Sequence, residues 1–153
     1  MNRKLQVIPL ILLLTLILTV SLTSWAAQKS PAASPKEPMG DLLLILHADD
    51  LASAEAFLLM AGVAAKRGHK VTLLLRVKAI QLALKDTDYV SGNIRFQDKL
   101  AGFMKSGSKV LVGGGCMKME GISKDRLIPG VAVGTPDVVM GLIFGEKTRI
   151  ISH

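Results

Sequence analysis

Hydrophobic positions along the chain fall in short blocks separated by polar turns. Asp41–Leu46 (DLLLIL) is apolar after its first residue, the pattern of a strand buried on both faces. His47, Ala48, Asp49 and Asp50 follow as a loop, and either aspartate suits a helix N-cap. Leu51, Ala54, Leu58, Ala61 and Ala65 then recur at helical spacing. Lys66 and Arg67 complement the negative end of that helix, and Gly68 suits the position just past it. Lys70–Leu75 (KVTLLL) predicts a second buried strand, and Lys78–Leu84 a short helix. The stretch from Asp86 to Asn93 is polar and loop-like. Phe96, Leu100, Phe103 and Met104 mark an amphipathic helix ending near Gly107. Lys109–Val112 predicts a third strand and Val131–Val133 a short fourth. Thr135, Pro136 and Asp137 give an N-cap, a proline at the first helical position and an acid in the first turn. That helix carries Val138, Val139, Leu142 and Ile143, and Thr148–Ile151 predicts a fifth strand.

Strands separated by helices imply right-handed crossovers. The expected fold is α/β, a three-layer sandwich with a mainly parallel five-stranded sheet of flavodoxin-like character. In such sheets ligands gather at the carboxyl ends of the strands. Three segments fall there: His47–Asp50, Arg76–Lys78 and Gly113–Met117.

The first 40 residues read differently. Arg3 and Lys4 precede an uncharged apolar run from Leu5 to Leu22, and Ser24-Trp25-Ala26 places small residues around a cleavage position. This order describes a secretory signal peptide over residues 1–26, or an uncleaved membrane anchor. Either way the following domain is expected on the outer side, periplasmic or secreted, with membrane attachment only through an uncleaved segment. Residues 27–40 contain Pro31, Pro35 and Pro38 among Ser, Ala and Lys, a flexible tether. The folded domain is expected over 41–153.

Composition narrows the function. The chain has 153 residues, 50% hydrophobic and 20% charged, which excludes a disordered polymer. Nineteen Lys and Arg against twelve Asp and Glu give +7. Arg3 and Lys4 belong to the targeting segment, which leaves 17 − 12 = +5 beyond it. That excess attracts anions or acidic partners but is not clustered as a nucleic-acid footprint requires. Aromatics make up only 4%, which argues against a base-stacking platform. One cysteine allows neither an intrachain disulfide nor a cysteine-rich zinc site.

That cysteine stands in VLVGGGCMKMEGI, Val110 to Ile122. Three glycines follow a strand, then Cys116, then a short helix expected from about Met117. Glycines permit left-handed backbone and uncover amides. A cysteine at a helix start meets free N–H groups and the positive end of the dipole, and both favour thiolate over thiol. Lys118 adds a local cation. The pattern describes a nucleophilic thiol, with Gly114, Gly115, Met117 and Lys118 around its substrate. Against this stands the general tendency of free cysteine to be buried as a small hydrophobe. The glycines alone also suit a phosphate, but the Lys-Ser/Thr of a P-loop is missing.

Other candidates have plainer readings beside the functional ones. His47 suits a substrate contact or base. Arg76 and Lys78 suit an anionic sulfur species such as thiosulfate, or simply a solvated basic turn. Asp49 and Asp50 resemble a paired-acid site, although capping explains them. His69 and His153 suggest a surface turn and a chain end. No metal site and no cofactor are called for.

Three segments carry a resemblance: AAKRGHKVTLLL (Ala64–Leu75), the cysteine turn, and LIPGVAVGTPDVVMGLI (Leu127–Ile143). In this order and spacing the chain resembles the DsrE/DsrF-like sulfur-relay family of small α/β proteins. The resemblance implies a carrier in which Cys116 accepts sulfane sulfur as a persulfide and passes it to a partner. It also implies a homo-oligomer, trimer or hexamer, with the cysteine near a subunit boundary. Some relatives hold a second cysteine three residues earlier, where this chain has Gly113, so an intramolecular dithiol cycle is disfavoured. Better-known members are cytoplasmic, whereas this chain is expected to be exported. The expected function is therefore a sulfur carrier or sulfurtransferase component of the cell envelope, its donor and acceptor being proteins or small anionic sulfur species. The alternatives are a ligand-binding or assembly module with a structural Cys116, and a thiol-dependent redox protein.

Overall fold

A computed structural model describes residues 39–153. The expected targeting segment and nearly all of the tether lie outside the described residues. In chain order the elements are strand β1 (Asp41–Leu46), helix α1 (Leu51–Lys66), strand β2 (Lys70–Leu75), a 3-10 helix (Val77–Ala83) and the short strands β3 (Val90–Ser91) and β4 (Ile94–Arg95). Helix α2 (Phe96–Lys105), strand β5 (Lys109–Gly113), helix α3 (Gly114–Met119), strand β6 (Ala132–Gly134), helix α4 (Pro136–Ile143) and strand β7 (Thr148–Ser152) follow.

Five strands form one sheet in the order β6-β5-β2-β1-β7. All four pairings are parallel, as the alternation of strands and helices predicts. The chain steps from β1 to β6 in one direction and then crosses back to lie beside β1. Right-handed crossovers put α1, α2 and α3 on one face and send α4 to the other.

The core follows the two-residue period of the strands. Leu44 and Leu46 point into the larger cluster with Leu73, Leu75, Val110 and Val112, under Phe57, Phe96 and Leu100. Leu43, Ile45, Leu74 and Leu111 face the opposite way into a cluster of four, packed by Val139, Leu142 and Ile143. The continuous apolar runs thus divide into two linings, and the layers are unequal.

Local signals explain most element ends. The Asp50 carboxylate accepts from the Ser53 N–H at 3.1 Å, so Asp50 is the cap of α1. The Ser53 side chain first, and then this N–H, hold the Asp50 carboxyl below its usual range. Asp49 instead accepts the Tyr89 hydroxyl at 2.5 Å. Thr135 caps α4 through the Val138 N–H. Gly68 leaves α1 with φ of +91°, a left-handed exit that suits glycine.

Three expectations need correction. The segment read as a polar loop contains a hairpin, with Val90 opposite Arg95 and Gly92 at φ +63° in the turn. Strands of two residues are too short to show alternation. The helix expected over Lys78–Leu84 is a 3-10 helix one residue earlier, buried by Ala79, Ile80, Leu82 and Ala83. Finally, α3 begins at Gly114 and not near Met117, because Gly114 and Gly115 enter the helix after Gly113 at its N-cap.

The larger cluster should dominate stability. Leu73 is 1% exposed at the centre of β2. Leu73→Ala is expected to cost about 2–5 kcal/mol, read as a lower denaturant midpoint at unchanged slope.

Candidate functional site

Parallel strands deliver their carboxyl ends to one pole, and here they end in step. Leu46 pairs with Leu75, and Leu75 with Val112. The next residues, His47, Arg76 and Gly113, therefore form a row across the sheet. The Arg76 N–H donates to the Leu46 carbonyl at 2.9 Å, and the Ala79 N–H to the His47 carbonyl at 3.1 Å. These bonds fasten the loop after β2 to the end of β1.

Cys116 is the third residue of α3, within its first turn. It is 8% exposed and belongs to the larger core cluster, more buried than a thiol above the strand end was expected to be. The preceding glycines serve space and not backbone sign, since none of Gly113, Gly114 and Gly115 has positive φ. A methyl group at Gly113 would stand 3.4 Å from the Cys116 Sγ and 3.6 Å from the Arg76 Cγ. The missing side chain at Gly113 leaves a gap bordered by the thiol and the arginine stem. A methyl group at Gly114 would meet the Val133 Cγ1 at 3.0 Å and the Gly134 carbonyl oxygen at 3.1 Å. Gly114 thus lets the start of α3 lie against β6. Gly115 faces open space.

The other sequence candidates separate. Met117 is buried in the core at 5% exposure, whereas Lys118 is exposed. The His47 Nδ1 lies 3.0 Å from the His153 carbonyl oxygen, and the His47 N–H donates to the same oxygen at 2.9 Å. The Lys78 Nζ approaches the Glu120 Oε1 at 3.6 Å and links the β2 loop to the end of α3. This exposed pair contributes at most about 1 kcal/mol. Glu120 was missed by the sequence reading, because only the fold brings it opposite Lys78.

Val77, between Arg76 and Lys78, has φ of +49°. A β-branched residue in left-handed backbone is strained, at an order of 1–3 kcal/mol. The strain sits in the turn that carries Arg76 beside Cys116. No sequence signal marks it, since valine is an ordinary residue after a strand.

A further pair borders the pole. Burial first, and then the bond to Asp49, push the Tyr89 hydroxyl up to about 12. The bond joins the loop before the hairpin to the loop after β1. Among the described residues no three His, Cys, Asp or Glu side chains converge as a metal site. No helix among them is long and apolar enough to cross a membrane.

The structure therefore defines a small parallel α/β protein with a Gly-Gly-Gly-Cys turn at the carboxyl pole of its sheet. Residues 42–145 match the DsrE/DsrF-like family, and the chain belongs to it. Solved structures share the fold. The ychN protein from E. coli superposes with a TM-score of 0.63 at 19% identity, over 75% of this chain and 100% of that one. Protein MTH1491 from Methanobacterium thermoautotrophicum gives 0.61 at 13% identity, over 74% and 99%. Protein BT1422 from Bacteroides thetaiotaomicron gives 0.52 at 20%, over 75% and 100%. At these identities the likeness is one of fold. No curated protein matches the chain.

Two tests follow from this geometry. Gly114→Ala should destabilise by about 1–3 kcal/mol through overpacking against β6. Gly113→Ala should fold normally and slow alkylation of Cys116 several-fold, because its methyl group fills the gap beside the thiol. Midpoints of chemical unfolding and the rate of iodoacetamide labelling read the two effects separately.

Tyr89 gives an alkaline signature. The folded state keeps the hydroxyl proton up to about 12, whereas an unfolded tyrosine releases it near pH 10. The stabilisation is complete below about pH 10 and is lost as pH rises towards 12. Tyr89→Phe should flatten this loss, measured as the unfolding midpoint across that window.

Proposed function

We propose that this protein carries sulfane sulfur as a persulfide on Cys116 and passes it to a partner in the cell envelope. The observation that carries the reading is the Cys116 thiol in the first turn of α3, beside the Arg76 stem and the gap left by Gly113. Membership of the DsrE/DsrF-like family, which is associated with sulfur relay, supports it. So does the targeting pattern of residues 1–26, which motivates the location.

The chemistry is an exchange between thiols and needs no external oxidant or reductant. The Cys116 thiolate attacks the outer sulfur of a donor persulfide, R–S–SH. A new S–S bond forms on Cys116, the donor's S–S bond breaks, and the donor leaves as its thiolate. An acceptor thiolate then takes the outer sulfur by the same step and restores Cys116. The Arg76 stem borders the gap beside the thiol, and its guanidinium is the cation this reading assigns to the exchange. The backbone amides of the first turn of α3 are the nearby neutral donors.

A second reading has an observation of its own. Cys116 is nearly buried and packs within the main core, which suits a binding or assembly module with a structural thiol. Intact-mass measurement decides. After exposure to a persulfide donor the protein should gain the mass of one sulfur atom, and Cys116→Ser should gain none while unfolding at the wild-type midpoint. No gain in the wild type, or unfolding of Cys116→Ser, would favour the module. Gain of oxygen after peroxide without any sulfur uptake would favour the redox protein.

A further inference from the structure

Wherever else the described backbone turns left-handed, the chain places a glycine: Gly68, Gly92, Gly107, Gly121 and Gly130. Val77, at φ +49°, is the exception. A β-branched residue is among the least suited to that conformation. Packing does not ask for it, since the Val77 side chain is 46% exposed and belongs to neither apolar cluster. The strain therefore has no return within the core, and it lies in the turn whose first residue borders the thiol.

The strain is also confined. The Arg76 N–H donates to the Leu46 carbonyl and the Ala79 N–H to the His47 carbonyl, so both ends of the turn are held on the end of β1. Ala79 and Ile80 are fully buried, which anchors the chain beyond. The Ala79 N–H has a second acceptor in the Arg76 carbonyl, at 3.0 Å. That carbonyl can turn away and leave the N–H still bonded to His47, so the change orphans no donor. With both ends fixed, relaxation of Val77 is taken up in the peptide between Arg76 and Val77. The rotamers open to Arg76 change with its backbone, and the Arg76 stem moves with them.

The stem and the Cys116 Sγ border the same gap at Gly113. The thiol is 8% exposed, too little for a reagent to meet it freely in this arrangement. A buried nucleophile, a side chain beside it and a strained hinge under that side chain are the parts of a local opening.

We propose that the Arg76–Lys78 turn is a gate at Cys116. It is closed with Val77 left-handed and the Arg76 stem beside the thiol, and open when Val77 relaxes and the stem swings aside. Valine at this position keeps the closed state from becoming too stable to open. The gate deepens the sulfur-carrier reading and rests on it for what is admitted to the thiol. Labelling of the thiol tests the gate, whereas gain of sulfur mass tests the carrier, so either can fail alone.

The rate of iodoacetamide labelling of the full chain, followed by intact mass across pH, reads the opening at its single cysteine. Val77→Gly and Val77→Asn accept left-handed backbone and so favour the closed turn. Each should slow labelling at least about fivefold, with the pH of half-maximal rate unchanged. In dilute urea, well below the unfolding transition, the wild-type rate should stay constant, as a local opening exposes little surface. Variants labelled at the wild-type rate would overturn the proposal. So would a wild type that is not labelled, or whose labelling rises with urea in step with global unfolding. A slower rate that comes with a shifted pH midpoint would also overturn it, because the substitution would then act on the acidity of the thiol and not on access to it.

Discussion

The register of the three central strands is the constraint on which the candidate site depends. β1, β2 and β5 differ in sequence, but Leu46, Leu75 and Val112 are partners across the sheet. Their side chains all enter the larger core. A slip of one residue in any strand would turn its buried set to the other face. The core therefore fixes the register, and the register fixes which loop residues meet. His47, Arg76 and Gly113 share a row because the leucines and valine before them share a layer.

A nucleophile needs both a rigid setting and a path for its partner, and Cys116, in the role proposed for it, has to meet both. Its burial comes from α3 packing closely on β6, which Gly114 permits. Beside the thiol Gly113 lacks a side chain, where a methyl group would stand 3.4 Å from the Sγ. Two adjacent glycines thus act differently, one letting the helix lie against β6 and the other leaving space beside the thiol. Val77 adds strained backbone beside them. A turn held only for stability gains nothing from such strain, whereas one that must present Arg76 beside the thiol can retain it when its neighbours enforce it. The bonds to Leu46 and His47 supply that enforcement.

The five sheet strands, their parallel sense and three of the four helices were legible in the sequence, because each is an apolar block bounded by a cap, a proline or a glycine. The Gly-Cys turn was legible as a strand-to-helix turn at the carboxyl end of β5. What the sequence hid is what depends on neighbours. The reason for Gly114 lies in Val133 and Gly134, and the partner of Lys78 is Glu120, 42 residues away by their numbers. Asp49 and Asp50 look alike in a string, yet one caps α1 and the other receives Tyr89. The start of α3 was misplaced because glycine is a poor helix former by propensity, and packing against β6 overrode that preference.

The inequality of the two sheet faces bears on how such a small domain holds together. A five-stranded parallel sheet exposes two apolar sides, and parallel sheets are stable when both are covered. Here the crossovers spend three helices on one side, because the chain keeps stepping in one direction from β1 to β6. Among the described residues only the single return to β7 covers the other side, and α4 has eight residues with which to do it. The topology itself therefore divides the described helices unequally between the two faces. The sequence does not answer with charge, as an exposed layer ordinarily would, but with Val138, Met140 and Phe144. Stepwise topology and apolar outer positions are separate features of the chain, and among the described residues they coincide on one side of the sheet.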